Sequence, residues 1–148
     1  MSIWKKDISL ATLNASSENT IIEVLGIEYT KIGDDFLQAS MPVDNRTRQP
    51  FGVLHGGASV VLAETLGSVA GNLALADDKM CVGLEINASH LRSMHKGTVI
   101  GTAKVVRLGR TMQVWQIDIC NDKQQLICSS RLTLSVINRP AKIRKPAL

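Results

Sequence analysis

The sequence predicts an α+β fold in which one antiparallel β-sheet wraps around a single long helix. The stretch from Ala58 to Ala76 is almost entirely apolar or small, which is typical of a helix buried on all sides. Two strand-like segments precede this stretch and four follow it. Because short turns join the segments, neighbouring strands are predicted to be antiparallel. The predicted order is β-β-α-β-β-β-β, with a short helix at the N-terminus.

The elements before the long helix are short. Residues 9–25 read as an amphipathic helix, and the polar run from Asn14 to Thr20 leaves open whether it is one helix or two. Gly26 is the residue type that commonly ends a helix. Strands are predicted at residues 27–32 and 36–41, joined by a hairpin turn at Gly33-Asp34-Asp35 and ended by Pro42.

Four strands are predicted after the helix, at residues 80–92, 98–108, 112–120 and 126–136. The alternation is clearest in the third of them, where Trp115, Ile117 and Ile119 share one face. The predicted turns lie at residues 96–97, 109–110 and 121–123. No second long helix follows, which separates this pattern from the alternating helices and strands of a parallel sheet.

Length and composition predict one domain over residues 1–138, followed by a basic, disordered tail over residues 139–148. The tail holds four of the seventeen Lys and Arg residues and no acidic residue, so the net charge of +4 arises there. The remainder has thirteen basic and thirteen acidic residues. Aromatic residues make up only 3% of the chain, which disfavours a stacking platform for nucleic acid.

Three cysteines predict a reducing compartment. They stand at positions 81, 120 and 128, without the C-x-x-C spacing of a zinc or redox site. The N-terminus lacks the apolar segment of a signal peptide, and no apolar run reaches the length that spans a membrane. The sequence therefore predicts a cytoplasmic protein that does not bind membranes.

Glu64 is the unusual residue of the long apolar helix, because a carboxylate there must be paired, protonated or used in chemistry. His55 lies nine residues earlier, which places it ~13 Å away along the axis and about 180° around it. The two side chains cannot meet on one helix, but two antiparallel copies bring His55 of one chain toward Glu64 of the other. Ser68 shares the face of Glu64, and Gly67 with Gly71 forms a stripe that admits another element. We therefore predict a symmetric dimer with two shared sites.

The residues at the start of this helix suit acyl transfer to water. Gly56 and Gly57 leave room for a ligand oxygen to approach unpaired backbone N–H groups, and Gln49 and His55 offer further donors. Glu64, from a second chain, offers a base or nucleophile. Each residue also has a structural interpretation. In that interpretation the glycines form only a tight turn, His55 caps the helix or lies in the core, and Glu64 pairs with Arg92 or Arg110.

Other catalytic classes fit the sequence less well. His55-Gly56-Gly57-Ala58 is similar to the oxyanion loop of α/β-hydrolases, but the chain has no G-x-S-x-G motif. His55, His90 and His95 show no H-E-x-x-H or comparable spacing, so no metal is predicted. The chain has no phosphate loop and no dinucleotide fingerprint, and no cofactor is predicted.

The central stretch resembles the hotdog-fold acyl-CoA thioesterases. The resemblance lies in Gln49-Pro50-Phe51-Gly52-Val53-Leu54-His55-Gly56-Gly57-Ala58-Ser59 and in Ala63-Glu64-Thr65-Leu66-Gly67-Ser68. Further segments match at residues 25–29, 41–44, 87–90 and 108–110, and the resemblance covers residues 3–137. The longer string is similar to the branch that holds 1,4-dihydroxy-2-naphthoyl-CoA hydrolase, of menaquinone biosynthesis, and the enterobactin proofreading thioesterase.

The resemblance implies a role for each site residue. Glu64 would attack the thioester carbonyl or direct water at it, and Ser68 would hold the water. The Gly56 N–H, with Gln49 and His55, would polarise the carbonyl. Three further residues would lie toward the CoA or acyl-carrier arm, namely His90, Arg92 and Arg110.

The resemblance also implies an assembly and a substrate. Homodimers would associate into homotetramers, and the substrate would be an aromatic acyl-CoA. An acyl carrier protein is the alternative donor. Three other functions stay open, namely a hotdog dehydratase or hydratase, a non-catalytic acyl-CoA-binding module, and an esterase that uses the same site with an oxygen leaving group.

Overall fold

The computed structural model describes residues 1–143. It contains three helices, which are α1 (Leu10–Ala15), α2 (Ile21–Val24) and α3 (Gly56–Leu73). Its six strands are β1 (Glu28–Ile32), β2 (Phe36–Val43), β3 (Lys79–His90), β4 (Gly97–Leu108), β5 (Met112–Cys120) and β6 (Leu126–Asn138). The strands form one sheet in the order β1-β2-β4-β5-β6-β3, and each neighbouring pair is antiparallel.

The sheet wraps around α3, which confirms the predicted α+β class and the hotdog architecture that the resemblance implies. Trp115, Ile117 and Ile119 of β5 are fully buried on the inner face of the sheet. Leu62 and Leu66 of α3 are equally buried and belong to the same core. Removing this apolar surface from water is the main stabilising contribution to the fold.

The predicted pairing of neighbouring strands is wrong for β3 and β4. β4 pairs with β2 and β5, whereas β3 lies at the far edge of the sheet beside β6. The link over residues 91–96 is therefore a crossover and not a hairpin turn. It passes the start of α3, where the Leu54 N–H donates to the Met94 carbonyl at 2.7 Å.

Two local predictions are refined by the structure. The N-terminal helix is broken in two, because Ser9 caps α1, Thr20 caps α2, and Asn19 between them has a positive φ of 60°. Pro42 does not end its strand, since β2 continues to Val43. The Pro42 carbonyl accepts from the Thr47 hydroxyl at 2.7 Å, so the side of Pro42 that lacks an N–H faces away from β4.

Gly67 and Gly71 allow close contact between α3 and the sheet, so the sheet of the same chain is the element that their stripe admits. A Cβ atom on Gly67 would lie 2.6 Å from Leu132 Cδ2, and one on Gly71 would lie 2.5 Å from Leu134 Cδ1. In the sheet, a Cβ atom on Gly101 of β4 would lie 2.7 Å from Leu66 Cδ1 of α3. Glycines on both surfaces thus set the distance between the helix and the sheet.

We expect Gly71→Leu to lower the free energy of unfolding by about 3 kcal/mol, because the new side chain has no space beside Leu134. The gain in helix propensity over glycine, about 1 kcal/mol, offsets only part of this loss. Urea unfolding followed by circular dichroism measures the change. Val69→Leu, on a half-buried position of the same helix, is the control and should change stability little. An unchanged midpoint for Gly71→Leu would contradict the close contact.

Lys5 and Arg139 are hydrogen-bonded to the end of α3 and to the loop that follows it. The Lys5 N–H donates to the Leu73 carbonyl at 2.9 Å, and the Arg139 N–H donates to the Asp78 carbonyl at 2.8 Å. The predicted basic tail stays a prediction, because its residues 144–148 lie outside the described residues. Within residues 1–143, no helix combines the length and the apolar character needed to cross a membrane.

Candidate active site

The loop before α3 is ordered by its own hydrogen bonds and holds Gln49 in place. The Gln49 N–H donates to the Val53 carbonyl at 2.9 Å, and the Gly52 N–H donates to the Gln49 carbonyl at 2.8 Å. Gly52 has a φ of +82°, which glycine adopts readily. The Gln49 Oε1 accepts from the Phe51 N–H, and its Nε2 has no acceptor within residues 1–143. Gln49 is therefore positioned with a side-chain N–H left to donate to a ligand.

His55 caps α3, which confirms one of the two structural interpretations left open for it. Its Nδ1 accepts from the Gly57 N–H at 2.8 Å, and its backbone is extended, as at other N-caps. In the neutral imidazole this bond places the proton on Nε2, so the exposed edge of the ring is a donor. The Gly56 N–H is the first of the helix and has no acceptor among the residues described, as expected at a helix N-terminus.

His90 lies against Gly56, and Arg92 lines the same cavity. A Cβ atom on Gly56 would stand 2.8 Å from His90 Nε2, so the imidazole occupies the space that the glycine leaves. The cavity has a volume of about 340 Å³ and also includes Val53 and Ser59. The structure therefore brings together the Gly56 amide and two of the three residues predicted to face the CoA arm.

Arg110 does not join this cavity. It lies in the turn between β4 and β5, where the Val136 N–H donates to the Thr111 carbonyl at 2.9 Å. His90 instead pairs with Cys128, at the other end of β6. Eight residues of extended strand separate these two positions on β6, or about 26 Å. One chain therefore does not bring Arg110 near His90 and Arg92.

Glu64 and Ser68 line a second cavity, of about 400 Å³, between α2 and α3. Its other lining residues are mostly apolar or hydroxylic, namely Thr20, Ile21, Ile22, Val61, Thr65 and Val69. The Glu64 carboxylate lies over Gly83 of β3, with its Oε1 2.6 Å from where a Cβ atom would stand. No Lys, Arg or His side chain lies within 4.0 Å of it in the described part of the chain. The ion pair with Arg92 or Arg110, one of the structural interpretations, is therefore not formed.

The two cavities lie on different parts of α3. They share no lining residue, and Gly56 and Glu64 are separated by eight helical residues, or about 12 Å along the axis. A single chain therefore presents the carbonyl-polarising groups and the carboxylate separately, as the sequence spacing predicts.

Two further groups beside Ser68 fix the local structure. The Asn72 side chain accepts from the Cys81 N–H at 3.0 Å and donates to the Ser68 carbonyl at 2.9 Å, which ties β3 to α3. Burial raises the pKa of the Cys81 thiol to about 11, so this group is a neutral thiol near pH 7 and a poor nucleophile. Within residues 1–143, no cluster of three His, Cys, Asp or Glu residues could hold a metal ion.

Sequence reasoning missed Gly83 and the contribution of α2. A glycine inside an alternating strand commonly marks a bulge or a close approach, and β3 has a register shift between Gly83 and Glu85. That signal was available in the sequence. The position of Ile21 and Ile22 opposite Glu64 depends on tertiary packing and has no local signal.

A family comparison decides the class of protein to which this geometry belongs. The sequence model of the thioesterase superfamily matches residues 51–128, which is more than half of the chain. The match includes Gly56 and His90 of the first cavity and Glu64 and Ser68 of the second. The chain belongs to the thioesterase superfamily.

Curated relatives and solved structures agree with this assignment. The thioesterase is 55% identical over 135 residues to the 1,4-dihydroxy-2-naphthoyl-CoA hydrolase of Escherichia coli, covering 91% of this chain and 99% of that protein. It is 53% identical to the proofreading thioesterase EntH of Cronobacter turicensis, covering 91% and 98%. A crystal structure of a thioesterase from Haemophilus influenzae superposes with a TM-score of 0.90 at 55% identity, covering 92% of this chain and 95% of that one. The protein is a hotdog-fold thioester hydrolase.

Proposed function

We propose that this thioesterase hydrolyses aromatic acyl-CoA, such as 1,4-dihydroxy-2-naphthoyl-CoA or benzoyl-CoA, to the free acid and CoA. The observation that carries the proposal is the Glu64 carboxylate, which has no cationic partner within residues 1–143 and faces a cavity with mostly apolar walls. A volume of about 400 Å³ suits a compact ring system. The similarity to a 1,4-dihydroxy-2-naphthoyl-CoA hydrolase supports this substrate class and a role in menaquinone biosynthesis.

Each half of the site has a distinct role in the proposed mechanism. The Gly56 N–H, at the positive end of α3, stabilises the oxyanion that forms on the thioester oxygen, and Gln49 and His55 add side-chain donors. Glu64 removes a proton from the attacking water, which Ser68 holds, or attacks the carbonyl carbon itself and forms a mixed anhydride that water then hydrolyses to the free acid and the Glu64 carboxylate. In both routes the C–S bond breaks, and CoA leaves as a thiolate that takes up a proton. Arg92 and His90 contact the CoA arm, where a guanidinium suits phosphate oxygens.

The proposed active form is a homodimer, which associates further into a homotetramer. β3 is an edge strand of twelve residues, and its outer edge has no strand partner within residues 1–143. Leu84 on this strand is 63% exposed, and a long exposed edge of this kind favours pairing with another strand. Antiparallel pairing of two β3 strands about a two-fold axis brings Glu64 of one chain toward Gly56 of its partner. Arg110 of the partner then becomes a further candidate for CoA contact.

Mixing two inactive variants tests whether the site is shared. Glu64→Gln removes the carboxylate, and Gly56→Pro removes the helix N–H. If each site uses Gly56 of one chain and Glu64 of the other, a mixed dimer holds one intact site and one doubly altered site. Equimolar refolding should restore about one quarter of wild-type activity, because half of the dimers are mixed and half of their sites are intact. No recovery, in a mixture shown to form mixed dimers, would place both groups in one chain.

Thiol release from CoA esters tests the reaction class and the acyl group. We expect benzoyl-CoA and hydroxynaphthoyl-CoA to be hydrolysed with a higher kcat/KM than a medium-chain fatty acyl-CoA. Burial raises the pKa of all three cysteine thiols, so the folded protein should react slowly with the disulfide reagent that follows the assay. A preference for the fatty acyl ester would contradict the aromatic substrate.

The second candidate donor is an aryl group carried on an acyl carrier protein. The similarity to a proofreading thioesterase favours it, and the same site chemistry would serve. Comparing kcat/KM for one benzoyl group on CoA and on a carrier protein distinguishes the two donors. We also propose a cytoplasmic location, which the three free thiols support.

A further inference from the structure

The short helix α2 forms the wall of the cavity that lies opposite Glu64. Thr20, Ile21 and Ile22 contribute to this wall, and α3 contributes the other side. Ile21 is 56% exposed although it is a large apolar residue. Because an isoleucine this exposed adds little to the core, its position at the cavity calls for another explanation.

Hydrogen bonds at both ends hold α2 in place. The Thr20 hydroxyl donates to the Ser17 carbonyl at 2.6 Å and accepts from the Ile22 N–H at 3.2 Å. At the other end Gly26 has a φ of +68°, and the Ile27 N–H donates to the Ile22 carbonyl at 3.0 Å. These caps hold the four residues of α2 in helical form, although the cavity separates part of the helix from α3.

Ile22 differs from Ile21 in its second contact. It lines the cavity and also packs against the hydrophobic core, so its side chain is supported from behind. Ile21 is not part of that core and lies at the more exposed side of the helix. The supported residue is suited to limit the depth of the cavity, and the exposed residue is suited to form its rim.

We propose that α2 selects the acyl group of the substrate, with Ile22 limiting the length of the group and Ile21 contacting its outer edge. This inference rests on the proposed function, because it takes the cavity beside Glu64 as the acyl site. The thioester carbon must lie at the Glu64 carboxylate, so the acyl group extends from there toward α2. A compact ring contacts Ile21 at its outer edge and ends before Ile22, whereas an extended alkyl chain meets Ile22.

Substrate ratios of α2 variants test the proposal. Ile22→Ala should raise kcat/KM for decanoyl-CoA relative to benzoyl-CoA by at least about tenfold, since removal of three carbon atoms lengthens the cavity. Ile21→Trp should lower kcat/KM for hydroxynaphthoyl-CoA relative to benzoyl-CoA by a similar factor. Val24→Ala is the matched control, because Val24 is an exposed apolar residue of the same helix that does not line the cavity. It should leave both ratios within about twofold of wild type.

The outcomes separate this inference from the proposed function. Wild-type protein that hydrolyses none of the three esters contradicts the proposed function itself. Hydrolysis of the aryl esters with ratios that do not move in the α2 variants, or that move equally in Val24→Ala, overturns the role of α2 and leaves the function standing. Ile21 is exposed, so Ile21→Trp should fold even if Ile22→Ala does not, and its ratio alone then decides the outcome.

Discussion

Glu64→Gln is expected to lower kcat for aryl-CoA hydrolysis by about 10³-fold while the fold stays intact. The substitution replaces the carboxylate by an amide of nearly the same size, which can neither attack the carbonyl nor take a proton from water. General base catalysis alone contributes about 10²–10⁴ in rate. No described residue donates a hydrogen bond to Glu64, so the change should break no native contact. Thiol release and a thermal unfolding curve on the same sample measure both effects.

Glu85→Gln provides the control for Glu64→Gln. Glu85 is an exposed carboxylate on β3, two residues beyond the glycine that Glu64 covers, and it does not line the cavity. Its replacement makes the same chemical change near the site and should leave kcat within about twofold. If Glu64→Gln retains more than a tenth of wild-type kcat, another group performs the attack and the proposed mechanism is wrong.

Gly56→Pro is expected to lower kcat by about 10²–10³-fold, the usual loss for one oxyanion-hole donor. Proline has no N–H, yet it fits the first position of a helix. The preceding residue, His55, has a φ of −71° and a ψ of 130°, which is the conformation that a following proline requires. The change therefore removes the donor with little disturbance of the helix.

Gly56→Ala separates the loss of the N–H from the added bulk. Both substitutions place a Cβ atom about 2.8 Å from His90 Nε2, which is too close for the ring as it stands, but only alanine keeps the N–H. We expect Gly56→Ala to lose less than tenfold in kcat, since the His90 ring can turn aside. Equal losses of kcat in the two variants would show that the loss is caused by the added bulk against His90 and not by removal of the N–H. Initial rates at saturating aryl-CoA provide the comparison.

Local patterns in the sequence predict much of this fold. The apolar run of α3 and the alternation of Trp115, Ile117 and Ile119 identify elements whose burial the structure confirms. The partner of each strand is less predictable, because the length of the link before β4 does not reveal that β4 inserts beside β2. The Gly67 and Gly71 stripe shows the same limit. The residues indicate a close approach, but only the tertiary structure identifies Leu132 and Leu134 as the partners.

The candidate site, like the fold, is predictable from the sequence only in part. The helix position of Glu64 and its separation from His55 follow from helical geometry, and the structure places them on different parts of α3. Gly83 carries a usable local signal, because a glycine within a strand often marks a bulge or a close approach of another group. Arg110 shows what spacing does not reveal, since its distance from His90 depends on the order of the strands. The contribution of Ile21 and Ile22 depends on how α2 folds back over α3.

The glycine contact between α3 and the sheet has a consequence for how this protein can change over time. Gly67, Gly71 and Gly101 leave no space for an acyl group between helix and sheet, and the cavity proposed to hold the acyl group lies on the outer side of α3. Of the two residues proposed to select the substrate, Ile21 is exposed and lies outside the hydrophobic core. Substitutions of Ile21 can therefore redirect specificity at little loss of stability. Related proteins can thus acquire activity on new thioesters while their central helix and sheet stay almost unchanged.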